Sequence, residues 1–506
     1  MRIARIAAFL AGVLVAAEAV AFDLASFEKR VTKRVLENGV TVLVCERPEA
    51  PVFSFFTHVD VGADREVPGI TGLAHMFEHM AFKGTHTIGT SDYEAERKAL
   101  DRVEEAYRAY DLERRRPVGR DEERLRGLEK AWRDAIAEAD RYVRPEEFSR
   151  IVEREGGVGL NAFTNSDETG YLCSFPQNRL ELWAFLESDR FLHPVLREFY
   201  KERDVVMEER RMRTDSSPVG RMIEQFLAAA FTAHPYGQPV IGWPSDLEAF
   251  SATDARAFYE RYYVPASLTA AVVGDVEAPE VLALAERYFS RLPARPGPEP
   301  LRTVEPRQRG EREVVLHDPA QPLYVEGYHR PDVRDPDDPV FNAISDLLSK
   351  GRTSRLYRSL VRDKRIAAGS AGFNGFPGDK YPNLFVFYAF PTPGHTPDEV
   401  KDAIRAEIER LRDEDVSDEE LRMVKIRAKA DLIRQLGDNQ GLAIQLATAE
   451  ARFGDWRELF RQVDRIEGVT KEDIRRVAKS TFVPENRTVG IIESTRLATA
   501  PQEGGR

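Results

Sequence analysis

Apolar residues alternate with polar ones at two-residue spacing over residues 34–62, and Asn38-Gly39 interrupts the alternation. A turn dipeptide between two such runs predicts a hairpin, with "PVFSFFTHVDVGA" as a further strand. A helix follows, carrying "GLAHMFEHM". From Tyr93 to about Tyr142 charged residues dominate and apolar ones recur at helical spacing, divided by Pro117-Val118-Gly119. That pattern predicts an inserted helical hairpin over about 93–144, amphipathic rather than fully buried. Strand spacing returns in "GVGLNAFTNSDETGYLCSFP", and residues 179–230 return to helix.

Two features divide the chain. Residues 288–312 are rich in Pro, Gly and Arg without an apolar period, which marks a linker. Residues 250–269, "FSATDARAFYERYYVPASLT", align without gaps to 469–488, "VTKEDIRRVAKSTFVPENRT", at an offset of 219. Asp254 falls on Asp473, Arg256 on Arg475, Val264-Pro265 on Val483-Pro484 and Thr269 on Thr488. Both segments open with a hydroxyl residue three before an acid, Ser251/Asp254 and Thr470/Asp473, an N-cap arrangement close to a capping box. The predicted fold class is therefore α+β, with two homologous domains, each a mainly antiparallel sheet packed with helices. They are expected at 22–287 and 313–496, with a flexible tail at 497–506.

Composition narrows the function. Of 506 residues 42% are hydrophobic and 31% charged, as in a soluble globular protein. A net charge of −12 argues against a nucleic-acid surface but leaves a peptide substrate open. Residues 1–21 have the layout of a secretory signal peptide: Arg2 and Arg5, an apolar run from Ile6 to Ala17, and Ala19-Val20-Ala21 before Phe22. The expected location is periplasmic, with no stable membrane span in the mature chain. Cys45 and Cys173 cannot form a disulfide framework; they are either one pair or two buried thiols.

The chemistry concentrates in His75, Glu78 and His79, which stand at i, i+3 and i+4 and share one helix face. Two imidazoles one turn apart suit zinc better than calcium or magnesium. Glu78 lies where it can act as base toward a water that the metal activates. The order H-x-x-E-H is the inverzincin signature. A catalytic zinc needs a third protein ligand, and the acid-rich helix "YKERDVVMEERRMR" is the candidate source. Glu202 and Glu209 lie two turns apart on one face; Glu208 competes with Glu209, and spacing does not choose between them.

The ordered motifs "HMFEHMAFKGT", "EREGGVGLNAFTNSDETGY" and "ERDVVMEE" resemble the pitrilysin family of inverzincin zinc metallopeptidases, and in size the mitochondrial processing peptidase-like group. The resemblance covers nearly all of the mature chain. It implies one Zn2+ per chain held by His75, His79 and Glu209, with Glu78 as catalytic base and Glu202 as a supporting carboxylate of the catalytic apparatus. It also implies that "GGVGLNAFTN" is an edge strand onto which substrate adds, placing Asn161 and Ala162 beside the peptide.

The sequence departs from the family pattern twice. His79 and Glu209 are 130 positions apart, longer than the family norm, and the 93–144 insertion accounts for the excess. The family also draws on an R-x6-Y pair for substrate. Arg362 fills its first position, but Gly369 stands where the tyrosine belongs. Glycine has no hydroxyl to offer an oxyanion. The expectation is a zinc endopeptidase acting on peptides or unfolded segments, as the metal-bearing subunit of a heterodimer whose homologous partner supplies Arg and Tyr, or as a homodimer. A non-catalytic structural subunit is the alternative, although it predicts eroded motif residues and these are intact. A metal-storage module would explain neither Glu78 nor "GLNAFTN".

Overall fold

The computed structural model describes residues 27–495. The predicted signal peptide and tail lie outside the described residues. Two sheets organise the chain. The first runs in the order β1-β2-β6-β3-β5-β4, from Val31–Val35, Thr41–Glu46, Leu268–Gly274, Val52–Val59, Thr169–Pro176 and Val158–Thr164. The second runs β7-β11-β8-β10-β9, from Arg312–Asp318, Arg487–Ser494, Leu323–Arg330, Asn383–Pro391 and Ala367–Phe376.

Apart from β1, the sheets share one plan. Each has a single parallel pair, β2 with β6 and β7 with β11, and is otherwise antiparallel. The last strand in from each half, β6 or β11, follows the repeated helix. Ser251 and Thr470 each cap that helix in a full capping box with Asp254 and Asp473. Cys45 in β2 and Cys173 in β5 are separate, buried free thiols. Three inter-strand spacings divide them, about 14 Å, beyond the reach of a disulfide.

The halves exchange helices. Helix Pro218–Ala230 lies between β5 and β6 of the N-terminal sheet in sequence, yet its Met222, Phe226, Leu227 and Ala230 pack against Val325, Leu384, Val386 and Ile492 of the C-terminal sheet. Reciprocally, Leu442, Ala443, Leu446 and Ala447 of helix Asn439–Phe453 cover Leu43, Phe56, Leu172 and Val273 of the N-terminal sheet. A polar seam adds to this join. Asp167 accepts from Tyr236 Oη at 2.5 Å and from the backbone N–H groups of Asp379 at 2.8 Å and Lys380 at 3.1 Å.

The insertion forms helices Tyr93–Arg114 and Glu122–Ala139. Its aromatic side chains are not merely solvated. Trp132 stacks on Tyr110 with ring centroids 5.3 Å apart and meets Tyr107 and Tyr200 at 5.2 Å. Tyr200 belongs to helix Phe199–Arg210, so the insertion braces that helix from behind. Buried Arg197 ties the insertion to the loop after the motif helix. It pairs with Glu96 at 2.8 Å and donates to the carbonyls of Lys83, Thr85 and Ile88.

Candidate metal centre

Helix Leu73–Met80 begins abruptly because its first turn is held from outside. Gly72 sits at φ 95°, and a Cβ there would lie 2.7 Å from the Ile241 carbonyl, so no other residue fits without strain. Buried Glu66 accepts from the backbone N–H groups of Gly72 and Ala74, both at 2.7 Å. Burial pushes the Glu66 carboxyl up to about 8, against the pull of those two donors. The helix therefore leaves the β3 connection at a fixed angle, with His75, Glu78 and His79 on one side.

The His75 and His79 rings meet edge to face, centroids 4.9 Å apart. Glu209 Oε2 lies 3.7 Å from His75 Nε2 and 3.3 Å from His79 Nε2. Ligand-capable atoms of these three residues fall within 4.8 Å of one another, the single such group among the described residues. Ligands about 2.0–2.1 Å from a tetrahedral zinc stand about 3.3 Å apart, so two imidazoles and one carboxylate at these separations fit that ion. Burial, then the neighbouring His79 and Arg213, depress His75 to about 3, which keeps its ring neutral and able to donate a lone pair.

Packing decides which glutamates face the cluster. Tyr200, Arg203, Val206 and Arg210 form the buried back of helix Phe199–Arg210. Arg203 donates to Tyr107 Oη at 2.9 Å, and Arg210 bonds Glu224 at 2.7 Å and the Gly242 carbonyl at 2.8 Å. With those side chains turned inward, Glu202 and Glu209 emerge toward the histidines. Glu208 points away and pairs with Arg211 at 2.5 Å, its side chain 53% exposed against 15% for Glu209.

Around the cluster lies a ring of charge partners. Glu202 Oε2 stands 3.4 Å from His79 Nδ1, and its other oxygen pairs with Lys83, which also reaches Glu198 at 3.2 Å. Burial alone would raise Glu202, but His79 and Lys83 outweigh it and hold the carboxyl below its usual range. Burial alone would likewise depress His79; Glu202, Glu209 and Glu78 reverse that and raise it. Glu78 is raised, chiefly by burial, against a hydrogen bond from Thr164 of β4. Arg213 Nη1 pairs with Glu209 Oε1 at 2.7 Å, on the carboxylate oxygen turned away from the histidines.

β4 lies at the end of its sheet, paired only with β5, and packs against the motif helix. Asn161 is exposed on it and Ala162 buried, opposite Leu172 and Tyr171. Arg362 is not brought into the cluster. It is exposed on the turn Tyr357–Asp363 of the C-terminal half and pairs with Asp363 at 2.6 Å. Gly369 occupies β9 opposite Phe390, and a Cβ there would meet open space. Sequence reasoning missed Lys83, Thr164 and Arg213. Lys83 stands one turn beyond His79, a spacing that carries a signal; Thr164 and Arg213 become visible only once strand and helix meet.

Comparison with known proteins supplies the family. The description "Insulinase (Peptidase family M16)" matches residues 41–111, and "Peptidase M16 inactive domain" matches 249–427. The zinc protease PqqE of Helicobacter pylori is 30% identical over 416 residues, covering 81% of this chain and 80% of that protein. The chain belongs to the M16 peptidase family. A solved protease from Helicobacter pylori superposes with a TM-score of 0.77 at 27% identity, covering 92% of this chain and 99% of that one. The periplasmic protease PqqL of Escherichia coli shares the M16 fold at 18% identity and a TM-score of 0.67; there 92% of this chain covers 48% of the other.

Among the described residues, the C-terminal half offers no second centre of this kind. Helix Asp338–Ser349 stands after β8 as the motif helix stands after β3, and helix Asp418–Gln435 corresponds to Phe199–Arg210. Between them Asp346 pairs with Arg427 and Lys350 with Asp431. Ion pairs join the two helices where the histidine–glutamate cluster lies in the other half.

Proposed function

We propose that this chain is a periplasmic zinc-dependent endopeptidase that hydrolyses peptides or unfolded segments. The observation that carries the reading is the convergence of His75, His79 and Glu209 beside Glu78 and the free edge of β4. His75 and His79 would hold the ion through Nε2 and Glu209 through a carboxylate oxygen, with Glu202 orienting His79 through Nδ1. Zinc, when bound, supplies a Lewis acid that polarises the scissile carbonyl and acidifies water. The peptide adds to β4 as an extra strand, main chain to main chain, which suits substrates of varied sequence. Asn161 and Ala162 then lie alongside it. Glu78, raised by its surroundings, accepts a proton from the water as oxygen attacks the carbonyl carbon, and returns it to the nitrogen as the C–N bond breaks.

The PqqL protein is about twice the length matched here, and that supports a pairing of two such units. With Gly369 in β9 and Arg362 away from the cluster, the partner, a homologous subunit or second copy, would supply an Arg/Tyr pair. Arg362 would serve as a substrate contact in that assembly. Glu78→Gln tests the reading: zinc content should stay near one equivalent while cleavage of an unfolded substrate falls by about 10³-fold or more. Full activity in that variant would sink it. A wild-type chain that binds no zinc would instead favour a non-catalytic scaffold subunit.

A further inference from the structure

Three arginines follow Glu209 closely, and the structure gives them different work. Arg210 is buried and held by Glu224, Asp215 and the Gly242 carbonyl. Arg211 is spent on Glu208 at the surface. Arg213 is neither. Its side chain is 72% exposed, and its single ion pair runs from Nη1 to Glu209 Oε1. The helix widens into a π-turn at Arg211–Asp215, and this turn carries Arg213 to the rim of the cluster. There its charge acts on His75 and on Glu78 as well as on Glu209. A guanidinium has five N–H donors, and Glu209 occupies one nitrogen, so the donors on Nη2 and Nε of this largely exposed side chain are left over, one carboxylate away from the histidines.

We propose that Arg213 contacts the substrate, donating a hydrogen bond to the scissile carbonyl oxygen and stabilising the negative charge that gathers there during attack. The inference rests on the peptidase reading and deepens it by adding a charge-stabilising donor from this chain to the Arg/Tyr pair expected of the partner. A cation at this rim is worth most when peptide on β4 excludes water, since the interaction strengthens as the dielectric falls. The rival role is purely mechanical: Arg213 would only hold Glu209 in place for the metal.

Arg213→Met and Arg213→Lys separate the two roles in zinc-loaded, full-length protein. Zinc affinity is measured by chelator competition. Binding is compared between a phosphinic peptide, tetrahedral and anionic at the cleavage position, and the same-sequence amide peptide in a Glu78→Gln background. The expected result for Arg213→Met is zinc affinity and amide binding within about 3-fold of the parent, with phosphinic binding weakened about 10- to 100-fold. Arg213→Lys should recover part of that loss, and kcat should fall with KM nearly unchanged. Equal weakening of both peptides would overturn the proposal. So would a loss of zinc affinity whose phosphinic defect is restored by excess zinc. A parent protein that binds no zinc would fail earlier, at the peptidase reading itself.

Discussion

Neighbouring residues on an α-helix point about 100° apart, so Glu208 and Glu209 face different surroundings despite their shared chemistry. Glu209 meets two imidazoles, whereas Glu208 meets Arg211 and solvent. Glu209→Gln should therefore lower zinc affinity on the order of 100-fold or more, while Glu208→Gln stays within about 3-fold of wild type in the same chelator competition. Equal losses would show that the helix face has been misjudged. The trio His75, Glu78 and His79 was legible because helix period alone fixes which residues share a face. The family resemblance pointed to Glu209, but choosing it on physical grounds required knowing which face of "YKERDVVMEERRMR" is buried. Arg203 and Arg210 disguise it: arginines usually lie outside, and here both turn inward onto hydrogen-bond partners. Arg213 was hidden in the same way, as one more cation in a basic run.

At the scale of elements, the repeated helix and strand were readable because capping boxes and Val-Pro turns leave local marks in sequence. The insertion was readable as a hairpin, but its purchase on helix Phe199–Arg210 was not, since stacking partners Trp132 and Tyr200 lie far apart in the chain. Helix Asp418–Gln435 supplies a sharper test. Glu420 closes its capping box with Ser417 and accepts both arms of Arg355, at 2.8 and 2.9 Å. The Arg355 bonds, foremost, hold Glu420 down at about 2. A carboxylate depressed in the fold stabilises it above its unfolded value, about 4.3, and that contribution fades as pH falls through the folded value. Glu420→Gln should thus cost roughly 2 kcal/mol at pH 7 and little at pH 2, read by denaturant unfolding at each pH. An equal cost at both would assign the loss to the cap rather than the charge.

The whole molecule depends on an exchange that periodicity could not reveal. An amphipathic helix announces that it has an apolar face, not which sheet that face will cover. Met222 and Phe226 cross to the C-terminal sheet and Leu442 and Leu446 to the N-terminal one, so the linker is not what joins the halves. A protease site introduced within residues 290–311 should leave both fragments in one species on size exclusion after cleavage. Separation into two folded species would contradict the exchange. Phe226→Ala should cost about 3–5 kcal/mol and destabilise both halves together, visible as one shifted unfolding transition. The exchange also orders biosynthesis. A ribosome that has released residues 27–438 holds an N-terminal sheet whose Leu43, Phe56 and Leu172 face still awaits its cover. His75, His79 and Glu209 have all been translated by then, but the sheet behind them closes only when helix Asn439–Phe453 arrives. Until that helix docks, the uncovered face is the apolar surface that a factor holding the chain open would be expected to meet.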